Sequence, residues 1–293
     1  MPGDTNGQTD LFVRDLRTGG IERVSLGTDG AQADSWSTEP AISADGRYVA
    51  FTSAADNLVP GDANGAADIF VRDRRTGRTE RITPDGRGTD TGPRAARDAR
   101  APAISADGNV VAFASARADL VPGDTNGVQD VFAYDRRTHA TRRASVASGG
   151  AQANAASTAP FVSADGRHVA FASRATNLDA GAPPPAATAP KAAEPRPYPS
   201  YVHDLRTGRT RAADVAWDGA RRVGRVAAAP GGDGRRAVFE SGGEAMVRRS
   251  AGEAMGLFLR DFVPDGADAP PDAVGAWHGV GHKPRFPLPQ QTY

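Results

Sequence analysis

The chain of 293 residues has no cysteine, which excludes disulfides, thiolate nucleophiles and cysteine-ligated metals. Lysine occurs only at Lys191 and Lys283, so arginine supplies nearly all the positive charge. There is no net charge to exploit, because 35 basic residues face 35 acidic ones. That removes the electrostatic case for nucleic acid or an anionic membrane surface as partner. No apolar run approaches the roughly 18 residues of a membrane helix, so membrane insertion is not expected. No leader segment is visible. Amphipathic helices of ten residues or more are missing, as are G-x-S-x-G and any phosphate-cradling glycine motif.

What is present is repetition. Asp119 to Arg136 reads D-L-V-P-G-D-T-N-G-V-Q-D-V-F-A-Y-D-R, and Asn57 to Arg74 reads N-L-V-P-G-D-A-N-G-A-A-D-I-F-V-R-D-R. The chain opens on a clipped copy, M-P-G-D-T-N-G-Q-T-D-L-F-V-R-D-L. The aromatic of this stretch recurs at Phe12, Phe70, Phe132, Tyr201 and Phe258, with gaps of 58, 62, 69 and 57. The turn S-A-D-G recurs with its aspartates at Asp45, Asp107 and Asp165, and decays to G-G-D-G at Asp233. Two independent markers with one period of about 60 residues define a structural repeat.

Each repeat holds four short strand candidates, labelled A to D. Strand A reads P-A-I-S (Pro40–Ser43, Pro102–Ser105) or P-F-V-S (Pro160–Ser163). Strand B is Tyr48–Ser53, Val110–Ser115 and His168–Ser173; strand C is Asp68–Asp73, Asp130–Asp135 and Tyr201–Asp204; strand D is Thr79–Thr83 and Thr141–Val146. All are rich in β-branched and aromatic residues and bounded by turn formers. Asp-Gly between A and B, and R-T-G between C and D, are hairpin signals. Strand B (Y-V-A-F, V-V-A-F, H-V-A-F) is apolar on both faces, which requires a sheet covered on both sides. A β-propeller meets that condition, and the small Ala50, Ala112 and Ala170 suit a wedge that narrows toward an axis. The expectation is therefore an all-β propeller of four-stranded antiparallel blades.

The predicted layout spans residues 1–262: a half blade at 1–30, then blades at about 31–90, 91–149, 150–216 and a degenerate one at 217–262. A Pro/Ala-rich insertion covers 179–200, and an irregular Pro/Gly-rich tail covers 263–293. About 4.5 to 5 blades are counted. Met1 stands where the other copies have Val59 and Val121, and GTG can encode valine or a start. The expectation from this is a longer reading frame, incomplete here at its N-terminus, and upstream in-frame translation tests it.

S-A-D-G-R-Y-V-A-F followed by D-I-F-V-R-D-R-R-T-G resembles the PD40, or WD40-like, repeat of TolB-type β-propellers. The likeness runs from about Met1 to Asp261, is close over the second and third repeats and weak after residue 230. The period of about 60 exceeds the roughly 40–45 of a WD40 blade, and the surplus lies in the B–C loop and the D–A link. Because strand direction alternates, both elaborated loops share one face, the candidate recognition surface. The resemblance implies an extracytoplasmic bacterial setting, in the cell envelope or secreted, and a binding role that is not an enzyme's, toward a protein or glycan. Two other readings stand beside it. One is a hydrolase or lyase with carboxylate chemistry at the central channel. The other is a calcium-stiffened segment of a larger surface protein.

The B–C loop carries the metal candidate. It reads D-x-N-G-x-x-D at Asp4, Asn6 and Asp10, at Asp62, Asn64 and Asp68, and at Asp124, Asn126 and Asp130. Oxygen ligands on a glycine-bent loop with a later carboxylate are what calcium takes. The loop resembles calcium loops of other repeat proteins but is short by one ligand. The preferred reading is an Asn-Gly turn closed by the side-chain hydrogen bonds of its last aspartate. His278 and His282 are separated by glycines, and no third ligand stands near. The arginines between Arg72 and Arg100 are expected on a solvated, salt-bridged outer strand.

Overall fold

A computed structural model describes residues 3–84, 98–179 and 198–213, together with the backbone of strands at 229–230, 236–242 and 255–261. The Gly231–Gly234 turn, most of the Pro/Ala insertion, both tail histidines and the tail itself lie outside the described residues.

The expected architecture is observed: the described residues form antiparallel sheets and no helix. A two-stranded sheet comes first, β1 (Phe12–Arg14) and β2 (Ile21–Arg23). Three four-stranded sheets follow. They are β3 (Ser37–Ile42), β4 (Tyr48–Ser53), β5 (Asp68–Asp73) and β6 (Arg78–Arg81); β7 (Ala99–Ile104), β8 (Val110–Ser115), β9 (Asp130–Asp135) and β10 (Ala140–Arg143); and β11 (Ser157–Val162), β12 (His168–Ser173), β13 (Ser200–Asp204) and β14 (Arg209–Ala212). A three-stranded sheet, β15 (Ala229–Pro230), β16 (Arg236–Gly242) and β17 (Met255–Asp261), closes the order. Below these are called blades 1 to 5. Strands run A-B-C-D in sequence within each full blade, so every connection is a hairpin or a step to the next blade. β3, β7 and β11 pack side by side, which makes strand A the inner one.

The core lies between sheets rather than within one. Phe51 and Phe70 pack with Val24 and Leu58 between blades 1 and 2. Phe113 and Phe132 pack with Ile69 and Val71 between blades 2 and 3, and Phe171 and Tyr201 with Val131 between blades 3 and 4. Each B-strand aromatic stacks on the C-strand aromatic of its own blade, with ring centroids 5.8 Å apart in all three. A fully buried phenylalanine contributes about 1.5–3 kcal/mol of transfer free energy, so these pairs dominate each blade. Blade 1 has no B strand in the described residues, and its Phe12 is 41 % exposed where Phe70 and Phe132 are at 0 %.

Turn chemistry fixes the hairpins. The Ser43 hydroxyl donates to Asp45 (2.6 Å) and accepts from the Tyr48 N–H (2.9 Å), with Gly46 at φ 71°. Blades 3 and 4 repeat the arrangement with Ser105/Asp107 and Ser163/Asp165. Two sequence expectations need correction. Strand A starts three residues before the proline, at Ser37, Ala99 and Ser157. It crosses a bulge where Glu39, Ala101 and Ala159 take φ of 53°, 53° and 50°, each directly before a proline. Strand D ends early, at Arg81 and Arg143, because the chain leaves the sheet there to cap the loop described next.

Candidate functional site

The B–C loop and the D–A link do meet on one face. Gln32 Nε2 donates to the Gly3 carbonyl (2.8 Å) and its Oε1 accepts from the Thr5 N–H (3.1 Å); Gln152 does the same to Gly123 (2.6 Å) and Thr125 (3.3 Å). Asn57 Nδ2 donates to the Gln32 carbonyl (2.8 Å), and Asn177 Nδ2 to the Gln152 carbonyl (2.7 Å). Each link hairpin is thereby tied both to the loop of the blade before it and to that of the blade after it. These glutamines recur with the repeat in G-A-Q-A, which is the sequence signal that identifies them.

The nine D-x-N-G-x-x-D residues gather in threes, and an arginine closes each set. Arg23 lies 3.1 Å from Asp4 and 3.5 Å from Asp10. Arg81 lies 2.6 Å from Asp62 and 3.8 Å from Asp68, and Arg143 lies 3.0 Å from Asp124 and 3.5 Å from Asp130. The last aspartate also accepts a hydroxyl: Ser25 to Asp10, Thr83 to Asp68 and Ser145 to Asp130, each at 2.5 Å. Asn64 and Asn126 donate to Asp68 and Asp130 at 2.7 Å, while Asn6 and Asn126 donate to the carbonyls of Ala33 and Ala153. At the blade 2 set a second cation, Arg117 from the B–C loop of blade 3, reaches Asp68 at 3.3 Å and forms a bidentate pair with Asp119, both bonds 2.9 Å.

Burial makes these contacts consequential. Asp68 and Asp130 are wholly buried, and burial pushes both carboxyls up despite their hydroxyl, amide and arginine partners. The arginine is the counterion that offsets this cost. In each set the guanidinium pairs with both carboxylates, and no three His, Cys, Asp or Glu side chains gather as a metal set among the described residues. The aspartates and asparagines were identifiable from the loop motif; the arginines were missed because they sit on the next strand. They follow the last aspartate at a constant 13 residues, Asp10 to Arg23, Asp68 to Arg81 and Asp130 to Arg143. In blade 4 the aligned positions are Pro199 and Ala212, so the acid and the arginine are absent together. Melting temperature in excess calcium and in chelator is expected to coincide. A calcium site at a hundred times its Kd would add about 2.7 kcal/mol, so an upward shift would restore the metal reading.

Within the arginine cluster, Arg75, Arg78 and Arg100 are exposed and Arg74 and Arg100 are salt-bridged as expected, but Arg72 is not. Arg72 is 7 % exposed, and its Nη1 donates to the carbonyls of Gly27 (3.0 Å) and Gly77 (2.6 Å) and to Thr79 Oγ1 (3.1 Å). It stitches blade 2 to blade 1, and burial lowers its affinity for the proton. Arg81 likewise points inward. Arg72 on β5 and Arg81 on β6 thus bind within the interior, while Arg78 on β6 stays exposed.

Sheets covered on both faces, a radial series of four-stranded units and an inner A strand define a β-propeller. No protein-family model matches the sequence, and no curated protein matches it. Solved structures do. The tricorn protease superposes with a TM-score of 0.50 at 15 % identity, over 88 % of this chain and 24 % of that one. A prolyl endopeptidase superposes with a TM-score of 0.50 at 13 % identity, over 92 % of this chain and 32 % of that one. A TolB from Agrobacterium tumefaciens gives a TM-score of 0.44 at 15 % identity, over 92 % of this chain and 73 % of that one. At these identities the likeness is one of fold. The chain spans a third or less of the two peptidases it matches. The expectation that the chain is not an enzyme is corrected by these matches: the same fold is found in a protease and an endopeptidase, so the fold does not separate catalytic from non-catalytic roles.

Proposed function

We propose that the chain is a propeller scaffold that binds a protein or glycan through the face formed by its B–C loops and D–A links, in an extracytoplasmic setting. One observation supports this above the others. The loops on that face are held by arginine–aspartate pairs beneath and glutamine and asparagine ties above, so the surface is set before a partner arrives. Preorganised loops on a rigid scaffold reduce the ordering cost of association. The tight A–B and C–D turns at the opposite end offer no comparable elaboration. Trp36 lies on the D–A link of this face, half-buried, with its carbonyl accepting from Ser53 Oγ (3.1 Å). Asp56 and Ala63 are exposed on the adjacent B–C loop.

The test uses glycan-array screening and affinity capture with the full chain. Trp36→Ala and the pair Asp56→Arg/Ala63→Arg are expected to lower specific binding at least about tenfold, in line with loss of one interface anchor. Arg75→Glu on the opposite face is expected to leave it unchanged. Binding that survives the loop-face changes and fails with Arg75→Glu would place the surface elsewhere.

A further inference from the structure

Among the described residues, two inter-blade crevices at the tight-turn end are built to one plan, and a third departs from it. Between blades 1 and 2, Arg74 donates twice to Glu22 (3.0 and 2.8 Å) and once to the Gly46 carbonyl (2.6 Å). Between blades 2 and 3, Arg136 pairs with Glu80 and donates to the Gly108 carbonyl (2.6 Å). There the ring of Tyr48 fills the remaining space, with the guanidinium carbons of Arg47 and Arg136 at 4.6 and 4.3 Å from its centroid. The fit is close: a Cβ on Gly108 would lie 2.2 Å from the Tyr48 ring.

Strand register identifies the counterparts between blades 3 and 4. Leu205 replaces Arg74 and Arg136, Arg142 replaces Glu22 and Glu80, and Val110 replaces Tyr48. Ala133 and Ala140 stand where blade 2 has Val71 and Arg78. The charge at the acidic position is reversed and three side chains have shrunk. What results is an open crevice of about 310 Å³ lined by Val110, Ala133, Ala140, Arg142, Gly166 and Leu205. Its volume is at the small end of ligand sites. Arg142 has one long contact inside, to the Leu205 carbonyl at 3.4 Å, and its side chain is exposed. Arg206 lines the same crevice and is exposed. The other charges there are already engaged: Arg167 pairs with Asp204, and Asp135 accepts from the N–H groups of Arg137 (2.8 Å) and Thr138 (3.2 Å).

We propose that this crevice binds an aromatic carboxylate, its ring on Val110, Ala133 and Ala140 and its carboxylate on Arg142. The preceding crevice supplies the template, because Tyr48 and Glu80 provide a ring and a carboxylate there from within the chain. An arginine that meets a carboxylate beside an apolar floor gains a charge-assisted, bidentate-capable contact. The ring contributes apolar burial and a favourable arginine–aromatic contact. The site lies at the opposite end of the blades from the proposed recognition face and does not depend on it. Its ligand could be a free aromatic acid or the aromatic C-terminus of a peptide, which share this chemistry.

The experiment is calorimetric titration of the full chain with N-acetyltyrosine, N-acetyltyrosine amide and acetate, and with a short peptide ending in tyrosine as acid or amide. N-acetyltyrosine is expected to saturate with a Kd on the order of 1 mM, the scale its size allows. The amide and acetate are expected to bind at least about tenfold more weakly, as loss of the ion pair or of the ring requires. Val110→Tyr fills the crevice as Tyr48 does, and Arg142→Glu restores the acid of the other blades. Both are expected to keep the wild-type melting temperature and to abolish saturable binding. A peptide acid that binds more than about tenfold tighter than N-acetyltyrosine identifies a chain terminus as the source, and equal affinity identifies a free acid. The proposal is overturned by absence of saturable N-acetyltyrosine binding, by equal binding of its amide, or by binding that persists in both folded variants.

Discussion

Arg143→Ala is expected to destabilise the protein by about 3–5 kcal/mol, the cost of removing one partner of a buried ion pair. Asp124 and Asp130 are 5 % and 0 % exposed in their side chains, and Arg143 is the guanidinium between them. Without it two buried carboxylates lose their counterion, and the Ser145 and Asn126 hydrogen bonds satisfy only part of Asp130. Domain stabilities of about 5–15 kcal/mol make this a large fraction of the total. Urea denaturation monitored by circular dichroism reads the change. A triple replacement, Arg143→Ala with Asp124→Asn and Asp130→Asn, is expected to recover most of the loss, because neutral amides cost far less to bury than unpaired charges. Blade 4, where both acid and arginine are missing, shows that the fold tolerates their joint removal. A single variant that unfolds at the wild-type urea midpoint would mean that the arginine is a bystander and would reopen the loop to other cations. Arg81→Ala is expected to cost less, since Arg117 stays within 3.3 Å of Asp68.

What could be read from the sequence follows from where the determinants lie along the chain. Strands B and C were legible because their signals are local: apolar residues on both faces, bounded by Asp-Gly and R-T-G. Tyr48–Ser53 and Asp68–Asp73 stand in the structure with those bounds. The start of strand A was not legible. A residue before proline in the left-handed region reads as a break, yet Thr38 and Ser37 still pair with Thr52 and Ser53 beyond the bulge. The loop aspartates were found, but as ligands awaiting a cation, because the partner arginine comes 13 residues later on a different strand. Pairing across a hairpin is a property of register, and only the Phe12–Arg23, Phe70–Arg81 and Phe132–Arg143 partners reveal it. The crevice between blades 3 and 4 is less legible still. Val110, Ala133 and Ala140 are unremarkable one by one. They matter only against Tyr48, Val71 and Arg78 at the same places in another blade.

Acidification from pH 7 to pH 5 is expected to lower stability by about 2 kcal/mol through His203 alone, rising to about 3 kcal/mol below pH 4. His203 is 5 % exposed on β13, and its Nδ1 lies 2.8 Å from Thr210 Oγ1, which in turn donates to the Val146 carbonyl of the preceding blade. Burial lowers its pKa to about 4 from an ordinary 6.5, with the charge of Asp204 opposing the shift and His168 adding to it. The sign follows from which state takes the proton. Between pH 6.5 and 4 the unfolded histidine is protonated and the folded one is not, so stability is complete above 6.5 and is lost as pH falls through this window. Asp73 and Asp204 are held well below the carboxylate range, Asp73 chiefly by Arg47, Asp204 by Arg167 against the opposing effect of burial. Their contribution is lost only at lower pH. Asp68 and Asp130, pushed up by burial, act in the opposite sense, since the folded state takes up their protons first as pH falls. His203→Gln separates these contributions. It keeps an amide donor for Thr210 and cannot titrate, so its urea midpoint is expected to stay nearly flat from pH 7 to 5 while the wild type falls. Parallel pH profiles for the two proteins would mean that His203 is not the group that titrates.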